Sequence, residues 1–143
     1  MRSKPPAMRI VHRNIGPAAI VGYRLPLAGF VSILHRVSGA LMFVLLPAVL
    51  WMFESSVSSQ DLFARSTSVL TAGVGFLPGW FTKLILWFLL GAYLLHFIAG
   101  LRHLWMDVTH SVSKEQGQSS ALYTLASSGL LWLLLGARLF GLY

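Results

Sequence analysis

Cysteine is absent from all 143 residues, so this chain forms no disulfide and cannot itself hold a thiolate-ligated iron–sulfur cluster or a cysteine-type zinc. Acidic side chains are nearly as scarce, four against eleven lysines and arginines, and none lies in the middle of an apolar run. That scarcity argues against a proton or cation pathway through the chain. Charged residues together make up 10% of the sequence, where a soluble domain carries roughly a quarter. No nucleophile-elbow or metalloprotease pattern occurs, and "GVGFLPG" at 73–79 lacks the Lys-Ser/Thr ending of a phosphate-binding loop. The leader has no apolar core of its own ahead of the first long run, so no cleavable signal peptide is expected, and the first run should serve for insertion. A nucleic-acid footprint would interleave basic and aromatic residues on a soluble module, and nothing of that kind is present.

What the sequence does have is apolar length. Hydrophobic residues reach 56%, and three runs, at about 30–53, 81–105 and 121–140, meet the roughly 20 residues a helix needs to cross a bilayer. The pattern predicts an all-α integral membrane bundle of three transmembrane helices. Residues 1–28 form an N-terminal segment and 29–143 a single membrane domain. Arg2, Lys4, Arg9, Arg13, Arg24 and Arg36 precede or open the first span, and Arg102 and Lys114 join the second to the third. A cytoplasmic N-terminus and a periplasmic C-terminus put these eight basic residues inside and only Arg65, Lys83 and Arg138 outside.

Pro5, Pro6, Pro17 and Pro26 bias the leader toward extended or turn structure on the cytoplasmic face. The outer loop, 54–79, carries a stretch at 62–77 that suits a short interfacial helix and is too interrupted to span. Trp51, Trp80 and Phe81 fall at one headgroup layer and Trp105 at the other, as an aromatic belt requires. Pro47 should bend or loosen the first span about one turn earlier.

The chemistry concentrates in two short segments. "HFIAGLRHLWMD", 96–107, begins with His96 near mid-membrane, where an ionisable side chain is costly and functional by default. At about 100° per residue, Gly100, His103 and Asp107 follow it on one face. "SILHRVSG", 32–39, places Ser32 and Arg36 one turn apart with His35 beside them. Under the expected topology a serine, two histidines, two arginines and an aspartate then converge at the cytoplasmic membrane level. A histidine that merely pins helices, or a basic pair snorkelling at a helix start, would account for either segment alone. Both segments place glycine one turn after histidine, Gly39 after His35 and Gly100 after His96, which would leave room for a flat macrocycle beside an imidazole. His96 and His103 stand about 10 Å apart along a helix axis, the reach from a haem iron to its carboxylate tails. His12, His35, His103 and His110 all lie at or beyond the interface, so a two-histidine haem would draw its second ligand from another chain.

The pair of motifs, the second reading H-x-x-x-G-x-R-H-x-x-x-D, resembles the cytochrome b membrane-anchor subunit of succinate dehydrogenase, respiratory complex II. The resemblance covers most of the chain. It implies one of two small anchors holding a flavoprotein and an iron–sulfur subunit on a bacterial cytoplasmic membrane, with FAD and the clusters on those partners. It further implies a haem b shared with the second anchor, and electron delivery to ubiquinone or menaquinone. By motif, His96 matches the axial iron ligand, and His35, Arg36 and His103 the propionate region. Gly39 and Gly100 match the packing around the haem, Ser32 and Arg36 the quinone pocket, and Asp107 a supporting position that could pair with Arg102 or His103. The same architecture would serve a fumarate reductase anchor, or a structural subunit without haem.

Overall fold

The computed structural model describes residues 22–110 and 113–142. The rest of the leader, with His12, Arg2, Lys4, Arg9, Arg13, Pro5, Pro6 and Pro17, lies outside the described residues. Among the described residues four helices follow in order: α1 Leu27–Ser58, α2 Gln60–Thr71, α3 Gly79–Thr109 and α4 Lys114–Leu139. Three of them, α1, α3 and α4, are long and apolar enough to cross a membrane. At 32, 31 and 26 residues they are each longer than a hydrocarbon core of roughly 30 Å requires.

Each spanning helix outruns its apolar run because its ends are held by other means. Pro26 and Pro78 stand in extended conformation at the starts of α1 and α3, where a missing N–H costs nothing. Ser113 and Gln116 close a capping box on α4, each side chain bonded to the other's backbone N–H at 3.2 Å. α3 ends at His110 in the left-handed conformation, its N–H returning to the Met106 carbonyl. α1 runs unbroken through Pro47.

The short helix of the outer loop starts and stops earlier than the apolar stretch suggests. Ser59 accepts a bond from the Leu62 N–H and so starts α2 at Gln60. Gly73, at φ +93°, ends the segment: a Cβ there would run into the Leu77 carbonyl. The following turn is closed by two bonds between Val74 and Leu77, each 2.9 Å, and delivers the chain into α3. Thr82 then ties α3 to α2 through the Val69 carbonyl at 2.6 Å.

Most large apolar side chains face outward, as expected where lipid is the solvent. The fully enclosed ones are few and small: Val31 of α1, Ala99 of α3 and Ala121 of α4 are all 0% exposed. They meet at one point with Leu27, Ala28 and Leu125 packed around them. Without a hydrophobic force between helices in lipid, close approach through small residues is what holds a bundle.

Further along, α3 and α4 are joined by a reciprocal clasp. Trp87 Nε1 donates to the Trp132 carbonyl at 3.1 Å, and Trp132 Nε1 donates to the Trp87 carbonyl at 2.8 Å. The rings stack with centroids 4.3 Å apart. Each tryptophan is followed one turn later by glycine, and each glycine makes room for the other helix's ring. A Cβ on Gly91 would stand 2.8 Å from Trp132 Nε1, and one on Gly136 would collide with Trp87 Nε1. Gly91→Ala and Gly136→Ala should each destabilise the detergent-solubilised protein by about 1–3 kcal/mol, read as a lower thermal midpoint. Combining Gly136→Ala with Trp87→Ala should cost less than the two separate losses added. Simple additivity would mean that ring and glycine do not depend on each other.

Candidate functional site

Near the end of the bundle where α1 begins, α1 and α3 bring three histidines together. His96 of α3 reaches across to α1, its Nδ1 2.9 Å from the His35 carbonyl. A carbonyl only accepts, so Nδ1 carries the proton and Nε2 keeps a free lone pair. Ser38, buried one turn after His35, donates to the same carbonyl at 2.9 Å and lies 3.4 Å from His96 Nδ1. The His35 ring stacks on that of His96 with centroids 4.1 Å apart, and His103 tilts against His35 at 5.2 Å.

This arrangement is suited to one kind of metal chemistry and not another. Among the described residues no three histidine, cysteine, aspartate or glutamate side chains form a group that could hold a bare metal ion. The histidine rings stack instead of fanning around a point. A haem needs only one imidazole from this chain, with its other ring nitrogen fixed by a hydrogen bond that sets tautomer and orientation. His96 meets that requirement: its Nδ1 proton is committed to a backbone carbonyl and its Nε2 is uncommitted.

Opposite each glycine of the two motifs stands a histidine of the other helix. Gly39 does not clear space beside His35. It faces His96, whose Cε1 would be 2.8 Å from an added Cβ. Gly100 likewise faces His35 across the interface, at 3.7 Å from its Nε2. The room each glycine leaves is faced by the opposite histidine ring.

The remaining motif residues separate. Ser32 is half-buried and Arg36 exposed, one turn apart on α1, and among the described residues neither side chain is engaged by another. Asp107 is exposed near the end of α3 and pairs with neither Arg102 nor His103. Arg102 does not join the cluster: it is six residues past His96, about 240° around the helix, and turns toward α4. There its Nε donates to Ser120 Oγ at 2.9 Å and its Nη2 to the Gly117 carbonyl at 3.1 Å. Nearer buried acceptors thus win over the exposed carboxylate. Ser38 went unmarked in the sequence reading, although its place one turn after His35 in the same motif could have flagged it.

Comparison with known proteins identifies the family. Residues 10–135 match the model of the succinate dehydrogenase/fumarate reductase transmembrane subunit family. The succinate dehydrogenase cytochrome b556 subunit of Paracoccus denitrificans is 31% identical over 109 residues, covering 76% of this chain and 78% of its own. Its counterpart of the same name from Coxiella burnetii is 33% identical over 103 residues, covering 72% of this chain and 77% of its own. With three spanning helices, the paired histidine motifs and matches over most of its length, the chain belongs to the succinate dehydrogenase/fumarate reductase transmembrane subunits, multi-pass membrane proteins of respiratory electron transport.

Proposed function

We propose that this chain is the haem b anchor of a succinate dehydrogenase, seated beside a second anchor and beneath an iron–sulfur and a flavoprotein subunit. In this reading it helps carry electrons from succinate to a quinone. The observation that carries it is the commitment of His96 Nδ1 to the His35 carbonyl, which leaves Nε2 as an oriented ligand. Bound there, a haem would supply reversible one-electron transfer. The cytochrome b556 names of both bacterial relatives support haem b and the succinate-oxidising direction. The bias of basic residues toward the α1 start supports a cytoplasmic N-terminus.

Around that ligand the chain's own residues have separate tasks. His35 and His103, half-buried beside His96, with Arg36 at the surface, would meet the negative propionates. Ser32 and Arg36 face a quinone at the headgroup level. The Ser32 hydroxyl donates to a carbonyl oxygen, and the Arg36 guanidinium offsets the negative charge that grows there as electrons arrive. Reduction of the quinone takes up two protons with two electrons, and exposure at the bundle end lets water deliver them. Asp107, exposed on the same face one turn past His103, supports the site's polar rim.

The test is a dithionite-reduced minus oxidised absorption spectrum of the purified complex. Wild type should show a b-type signal that His96→Ala abolishes or shifts. An unchanged signal in the variant would remove His96 as ligand, and no signal in assembled wild type would leave a structural anchor. Separately, Ser32→Ala and Arg36→Leu should each lower quinone reductase activity by about tenfold or more, while succinate oxidation with an artificial acceptor persists. Wild-type quinone reduction in both would overturn the pocket.

A further inference from the structure

Arg102 is 8% exposed, and its guanidinium bonds to neutral acceptors, the Ser120 hydroxyl and the Gly117 carbonyl. All four acidic side chains of the sequence are among the described residues, and none of them meets it. A guanidinium does not deprotonate in a protein, so a full positive charge sits in the bundle with no counter-charge from this chain's side chains. Removing a charge from water without a partner is costly, and a membrane-embedded cation calls for an anion from outside the fold.

The surroundings indicate which anion. Beside Arg102, α3 and α4 leave a lateral cavity of about 580 Å³, with Arg102 in its wall. Ser120, Thr124 and Ser127 line the α4 side, while Leu101, Leu104 and Trp105 line the α3 side. Through Trp105, Ser120 and Tyr123 the cavity continues into a more polar recess of about 240 Å³ reaching Gln116 and Ser119, toward the end of the bundle. The track is thus more polar toward the bundle end, apolar along its length and open sideways, with Leu104, Trp105 and Tyr123 all exposed. Trp105 and Tyr123 are the residue types that sit at lipid headgroups.

We propose that this track holds an anionic phospholipid, its phosphate near Arg102 and one acyl chain along the α3/α4 groove. A quinone is neutral and would leave the charge uncompensated. A zwitterionic lipid brings its own cation and neutralises nothing. The site lies on the opposite side of α3 from the histidines, and it stands or falls independently of the haem and quinone assignments.

The test compares delipidated complex, wild type and Arg102→Met, in detergent micelles carrying either phosphatidylglycerol or phosphatidylcholine. Thermal midpoint and co-purified lipid, identified by mass spectrometry, are the readouts. Wild type should gain more stability from phosphatidylglycerol, and Arg102→Met should lose that preference, with retained phosphatidylglycerol down by roughly tenfold. Ser127→Phe fills the groove without touching the bonds of Arg102, and should lower retention likewise, which keeps the test decisive if Arg102→Met fails to assemble. Equal response of wild type to both lipids, as expected if a partner subunit's carboxylate closes over Arg102, overturns the proposal. So does undiminished phosphatidylglycerol retention in Ser127→Phe.

Discussion

Polar side chains in lipid have nowhere to turn but to one another and to the backbone, and this bundle is organised by that constraint. Its helix contacts are sealed by side-chain donors that end on main-chain carbonyls of a neighbouring helix. His96 of α3 closes on the His35 carbonyl of α1. Trp87 and Trp132 exchange bonds between α3 and α4, Arg102 reaches the Gly117 carbonyl, and Thr82 holds the Val69 carbonyl of α2. A helical carbonyl has a second lone pair beyond its own helix bond, so it can receive such a donor without unwinding. The acceptor is also fixed in place by the helix, so each of these bonds sets a register as well as an attraction.

Two of the seals share one construction. A large ring is followed one turn later by glycine on each of two facing helices, and the ring from the other side crowds the space a Cβ would take at Gly39, Gly91 and Gly136, while at Gly100 it stands at ordinary contact distance. His35 and Gly39 cross with His96 and Gly100, and Trp87 and Gly91 cross with Trp132 and Gly136. The antiparallel pairing of neighbouring spans makes the crossing reciprocal. The difference lies in the chemistry left over. Indole has a single polar atom, which the carbonyl consumes, and the contact is closed. Imidazole has two, so once Nδ1 is committed, Nε2 is available for a ligand. One packing device therefore produces a passive clasp in one place and an oriented metal ligand in the other.

How much of this was legible beforehand follows the same division. The three spans and the two histidine motifs could be read from apolar length and helical spacing, because both depend on local periodicity alone. The crossing of the glycines could not, since spacing within a helix does not say which ring will occupy the space a glycine opens. Trp87 and Trp132 gave little sign, although W-x-x-x-G at 87–91 and at 132–136 repeats the histidine spacing. The grouping of Arg102 with the histidines failed because proximity in the motif outweighed its angle around α3. The bounds of α2 depended on Ser59 and Gly73, whose effects come from one hydroxyl bond and one positive φ.

The placement of these seals separates stability from chemistry along a single helix. On α3, Trp87 and His96 are nine residues apart, roughly 13 Å, so the tryptophan clasp and the histidine cluster occupy different depths. The enclosed Val31, Ala99 and Ala121, where α1, α3 and α4 all meet, stand beside the cluster itself, Ala99 lying between His96 and His103 on α3. The histidines are thus held by one tight contact at their own depth and by a second nearer the start of α3. Their rings are set in a fixed frame while Ser32 and Arg36, one turn apart on α1, have no side-chain partner among the described residues. A chain with so few charges uses its neutral rings and glycines to hold in place the end that carries Ser32, Arg36 and the histidines.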